Sequence, residues 1–218
     1  MKTINSLGCM LALATLLIAA VPPTDPARYQ KAMELSIKKI DTAKTKEQFL
    51  TGAAQFERIA QAEATEWLPA YWAAYSYAMA TARETDKTQK DALLDKMDNW
   101  VDTGLRRSAN NDELLVLRAM SAQMRLPVDP MNRWMKYGPV IGQSLELAKK
   151  QNPANPRVDL VYGQNFYFTP EQFGGGCKKA LPYLQSAQQK WKSFVPASSI
   201  APNWGTQDLA HYLGKCQS

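Results

Sequence analysis

His211 is the only histidine in the chain. With Cys177 and Cys216 it is the nearest approach to a metal-ligand set, but the spacing is wrong for zinc and no fourth donor is apparent. No Ser-His-Asp arrangement follows from the spacing, and there is neither an H-E-x-x-H helix nor a phosphate-binding P-loop. Gly174-Gly175-Gly176 precedes a helix that carries Lys178 and Lys179. Backbone N–H groups there could cradle an anion. The plainer reading is a long turn that needs positive φ at one or two positions. Carboxylates such as Glu171 and Asp208 leave a small helical hydrolase as the enzymatic alternative, which would need two or more acids gathered around His211. The reading is therefore non-enzymatic, with no cofactor and no metal implied.

Aromatic residues make up 10% of the chain, which is high for a helical array. Tyr71, Trp72, Tyr75, Tyr162, Phe166, Tyr167 and Phe168 are mostly expected in the core. Tyrosine keeps its OH near a partner or water. Tyr71, Trp72, Asn165 and Tyr167 are therefore candidates to line an inner, concave binding surface, with Arg118, Arg157 and Gln164 adding polar contacts.

The elements that must position these residues begin after a leader. Met1-Lys2, the apolar run Leu11–Ala20 and the small residue that Ile18-Ala19-Ala20 offers for cleavage before Val21 read as a secretory signal over residues 1–20. Leu7-Gly8-Cys9 is a poor lipoprotein box, because most of the apolar run follows the cysteine. A flexible arm over 21–27 and a helical domain over 28–218 complete the expected division. An exported chain with Cys177 and Cys216 left after cleavage favours a disulfide between them. The net charge is +6 with Lys and Arg scattered among Asp and Glu, which argues against nucleic acid as a partner. No later stretch is apolar enough to span a bilayer.

Every long segment of the domain repeats at three to four residues, and no period-two pattern appears, so the chain reads as all-α. Expected helices begin near Tyr29, Thr45, Pro69, Asp91, Leu114, Pro130, Pro156, after the Gly174–Gly176 loop with Pro182 in the first turns, and near Trp204. Thr45 with Gln48 forms a capping box. Asp112 is placed to cap the fifth helix and Asp129 the sixth, and Pro139 predicts a kink or break near Gly138. Val195–Pro202 reads as an extended loop.

The organising stretch is Asn152–Ala187, a helix, a glycine loop and a second helix. Trp72-x2-Tyr75-Ser76-x2-Met79 and Asp159-x2-Tyr162-Gly163-x2-Phe166 place large, small and large residues at the same offsets, and Ala180-x3-Leu184-x2-Ala187 follows the second. Small residues let two helices approach while large neighbours fill the groove. The pattern resembles the tetratricopeptide-repeat superfamily over roughly residues 46–192, in degenerate form. That resemblance implies a right-handed array of antiparallel helical hairpins. Gly163-x3-Tyr167-x2-Pro170 followed by Phe173-Gly-Gly-Gly also looks like a feature of exported tetratricopeptide-like proteins, including the T component of some TRAP transporters. It implies a part in small-molecule uptake.

The function expected from the sequence is an exported binding or scaffold protein, periplasmic or extracellular. It would hold a peptide, a partner protein or a small ligand in a helical groove. A purely structural envelope part is the further alternative, and it would show a groove packed shut.

Overall fold

The computed structural model describes residues 25–217. The expected leader, most of the arm and Ser218 lie outside the described residues. Residues 25–27, expected in the arm, instead start the first helix, because Asp25 accepts from the Ala27 N–H and Pro26 occupies the first turn.

Nine α-helices follow in order among the described residues: α1 Pro26–Asp41, α2 Lys46–Ala62, α3 Leu68–Thr81, α4 Lys87–Arg107, α5 Asp112–Arg125, α6 Pro130–Gln151, α7 Pro156–Phe168, α8 Cys177–Trp191 and α9 Thr206–Gln217. No strand occurs among them, so the all-α reading holds. The Thr45–Gln48 capping box starts α2. At α5 the cap is Asn111, which accepts from the Leu114 N–H. Asp112 is free to face the next turn instead, where Asn152 and Asn155 donate to its carboxylate. Asp129 precedes Pro130 at the start of α6 but makes no side-chain cap bond.

The expected break at Pro139 is absent: α6 runs on to Gln151. Pro139 is on the exposed side of the helix. The carbonyl of Met135, which loses its helical donor there, can turn to water.

Successive helices pack on one another, most extensively α2 on α3, α5 on α6, and α7 on α8. In addition α1 touches α3, α3 touches α5, α5 touches α7 and α7 touches α9. The odd-numbered helices thus form a continuous row flanked by the even ones. This explains the composition of α3, whose buried residues include Tyr71, Trp72, Ala73, Ala74, Ser76 and Tyr77. A helix packed on all sides has no reason to carry a polar stripe.

The small residues sit where neighbours meet. Ser76 and Ala180 are fully buried, and Gly52 faces Ile40 and Ser76. A Cβ added to Gly163 would lie 2.5 Å from Leu184 Cδ2 and 2.8 Å from its Cγ. Gly163→Val is therefore expected to destabilise the fold by about 1–3 kcal/mol in urea unfolding. Gly163→Val combined with Leu184→Ala should recover part of that loss. A Gly163→Val protein as stable as wild type would show that α7 and α8 do not approach this closely.

Candidate functional site

The inner face of the row is the place where a binding groove is expected, and the chain fills it with its own backbone. Residues 192–205, the strap between α8 and α9, lie against α1, α3 and α7. Trp72 Nε1 donates to the Ile200 carbonyl at 2.8 Å, and Trp204 Nε1 donates to Tyr71 Oη at 2.7 Å. The Trp204 and Tyr75 rings stack with centroids 5.1 Å apart. Gln30 and Glu34 of α1 hold Ser199 at 2.7 Å each. Gly205, at φ 115°, turns the strap into α9 where a Cβ would meet the Trp191 ring.

Arg157 pins this arrangement. Its guanidinium donates to Glu113 at 2.9 Å and to the Pro202 carbonyl at 2.7 Å, and lies 4.8 Å from the Phe194 ring centroid and 5.3 Å from that of Trp204. Tyr71, Trp72 and Arg157 are each 0% exposed. These three sequence candidates meet under the strap, hold it, and present nothing to solvent. Apart from Arg157 Nε, their side-chain hydrogen-bonding groups are spent internally.

Arg118 stands elsewhere, on a cleft of about 300 Å³ between α4, α5 and α6. It pairs with Asp102, while Arg125 in the same cleft pairs with Asp95 at 2.7 Å and Asp98 at 2.6 Å. Both cations already have carboxylate partners. Beyond the cleft, the first turns of α6 carry Met131, Trp134 and Met135, exposed by 84%, 49% and 82%. Their spacing puts them on one side of the helix.

Tyr167 belongs to a third place, the end of the molecule where α7 stops and α9 packs beside it. Its ring lies 5.1 Å from Phe168 and 5.1 Å from Tyr212, and Phe168 lies 5.8 Å from Tyr212, all edge to face. Phe168 is 64% exposed. The His211 ring meets Tyr212 at 5.1 Å. Gln164 and Asn165, the remaining candidates, are half-buried on the preceding turn of α7. The Asn165 carbonyl accepts from Thr169, which ends the helix. The structure therefore divides the candidates among three locations.

Two features build this aromatic end. The Cys177–Cys216 disulfide joins the start of α8 to the end of α9, which sets Lys178 and Lys179 beside the α9 terminus. The glycine loop returns the chain tightly, with Gly174 and Gly176 at φ 82° and 84°, as the turn reading requires. Burial raises the Tyr212 phenol, as do the carboxylate of Asp208 and the phenol of Tyr167. Asp208 is itself raised by burial and drawn back by His211. Glu171 is exposed in the 3-10 turn at 171–173. Phe168, His211 and Tyr212 were not singled out as binding residues in the sequence. The disulfide expectation was the available signal, since Cys216 lies one helical turn from Tyr212.

The strap covers Tyr71, Trp72 and Arg157, a closed face of the kind expected of a structural part; what stays open to a ligand is the aromatic surface at the α7–α9 end, where Phe168 is exposed. No protein-family model and no curated protein matches the sequence. Among solved structures, the HusA haemophore from Porphyromonas gingivalis shares 31% sequence identity and a TM-score of 0.78, over 87% of this chain and 92% of that one. The chain belongs to the family of that haemophore. The disulfide fits an exported protein, and among the described residues no helix is long and apolar enough to cross a membrane.

Glu113 supplies a test of the inner face. Burial raises it from 4.5 to about 7, against the attraction of Arg157. Between those values the folded chain holds a proton that the unfolded chain has released. This contribution to stability is therefore complete below pH 4.5 and is lost as pH rises through about 7. Thermal unfolding from pH 5 to pH 8 should show wild type losing about 1–3 kcal/mol relative to Glu113→Gln. Parallel pH profiles for the two proteins would contradict this burial of Glu113.

Proposed function

We propose that this chain is an exported carrier of a haem-type tetrapyrrole, seated against the aromatic end formed by α7 and α9. Kinship with a haemophore over nearly all of that protein's length is the observation that carries the reading. The geometry supports it. A tetrapyrrole is a flat apolar ring with carboxylates on one edge. Phe168, Tyr167 and Tyr212 offer aromatic surface, which binds such rings through area and dispersion. Lys178 and Lys179 at the same end suit the carboxylates. The inner face is a poorer seat, because a ligand there would have to displace the strap and all its hydrogen bonds.

The row of odd-numbered helices supports reading the hairpins as tetratricopeptide-like units in degenerate form. The compartment that fits this role is the periplasm or the outside of the cell. A second seat is favoured by one observation, the exposure of Met131, Trp134 and Met135. Methionine is an adaptable apolar contact and a known haem-iron ligand.

Titration of haemin into the full chain, followed by its Soret band, tests the proposal. Wild type is expected to bind saturably at one site. Phe168→Ala with Tyr212→Ala should weaken binding by about tenfold or more, while Met131→Ala with Trp134→Ala and Met135→Ala should leave it within about twofold. The opposite pattern would move the seat to α6. A wild-type protein without saturable binding would end the reading.

A further inference from the structure

We infer that Met131 and Met135 form a binding site for a soft monovalent metal ion of the Cu(I) type, with the Trp134 indole beside it. The site is separate from the aromatic end, and the inference does not rest on the tetrapyrrole reading.

Three observations carry it. The first is the pair of thioethers. Met131 and Met135 stand four residues apart near the start of α6, so they are neighbours on one side of the helix. They are 84% and 82% exposed, whereas Met33, Met97 and Met120 are buried and Met79 and Met124 half-buried. Packing accounts for the other methionines among the described residues and not for these two. Three rotatable bonds in each side chain let both sulfurs turn to one ion. The second is the indole. A Cβ on Gly138 would lie 3.3 Å from the Trp134 ring, so the ring rests where glycine leaves it room. It is half exposed and shares the side of both methionines, and the face of an indole attracts a cation. The third is the direction of the neighbouring charges. Arg133 grips Asp91 at 2.6 Å through both terminal nitrogens, and Lys136 lies 5.0 Å from the Tyr137 ring centroid. The basic groups of these turns answer to other partners.

The donors set the class of ion. Thioether sulfur is soft and uncharged, which suits Cu(I) and not Mg or Ca. Among the described residues no group of three or more His, Cys, Asp or Glu could hold a metal, so a harder ion is offered no comparable set. Binding is a ligand exchange: each sulfur donates a lone pair, water leaves the ion, and the ion stays monovalent.

Silver(I), a soft monovalent ion stable in air, is the probe. It is titrated into the full chain carrying Cys9→Ser, because a free thiol would take the ion first, and is followed by the methyl NMR signals of labelled methionine. One equivalent is expected to move the Met131 and Met135 methyls and to leave those of Met33 and Met97 in place. Met131→Leu with Met135→Leu should weaken silver binding by about tenfold or more, with thermal unfolding unchanged because both positions are exposed. Silver held equally well by the double variant, or moving neither methyl, would overturn the inference. Zinc(II) bound at these methyls as tightly as silver would overturn the class of ion.

Discussion

Arg157 is the group on which the rest of the structure depends. It is carried by α7, it is fully buried, and it faces Glu113 of α5 on one side and the strap on the other. A guanidinium removed from water needs nearly all its charge and donors answered. Removing one partner of such a pair costs about 3–5 kcal/mol, because the other charge is stranded. Here the answer comes from two parts of the chain: the Glu113 carboxyl of α5, and a carbonyl and two rings of the strap. Only Nε is left without a partner among the described residues. The planar fork and flat faces of arginine make this possible, and lysine has neither.

From that pin follow the closure of the inner face and the position of α9. The strap is tethered at both ends, by α8 on one side and by α9 on the other. The Cys177–Cys216 bridge ties those two helices together. With Tyr71, Trp72 and Tyr75 packed against the strap and its Trp204, the exposed aromatic rings include Phe168 at the end of α7 and Trp134 on α6. Phe168 is exposed because α7 ends there and the glycine loop turns the chain away. A site at this place is thus a consequence of how the inner face is filled.

Local rules were legible in the sequence to the extent that they were local. The capping box at Thr45 and Gln48, the proline starts of α3, α6 and α7, and the close approach at Gly163 are written within a few residues of one another. Pro139 misled because a proline breaks a helix only where its lost bond and its ring cannot be accommodated, and exposure accommodates both. The strap was recognised as an extended loop, but its destination was not. Trp72 to Ile200 and Tyr71 to Trp204 are contacts between positions more than a hundred residues apart, and periodicity carries no information about them. Of the residues that marked a groove in the sequence, Tyr71, Trp72 and Arg157 meet under the strap, while Arg118 and Tyr167 lie elsewhere. At the aromatic end the sequence offered Tyr167 alone. Phe168 read as core because of its type, and His211 looked ordinary until α9 was placed beside α7.

The central claim is that a tetrapyrrole sits outside, on the α7–α9 end, while the strap stays in place over Arg157. The most direct measurement is NMR chemical-shift mapping of the isotopically labelled full chain with gallium(III) protoporphyrin, a diamagnetic stand-in for haem. The account expects the largest shifts at Tyr167, Phe168, His211 and Tyr212, with the indole N–H signals of Trp72 and Trp204 unmoved. Large shifts at those two indoles, with the strap amides released to solvent exchange, would contradict it.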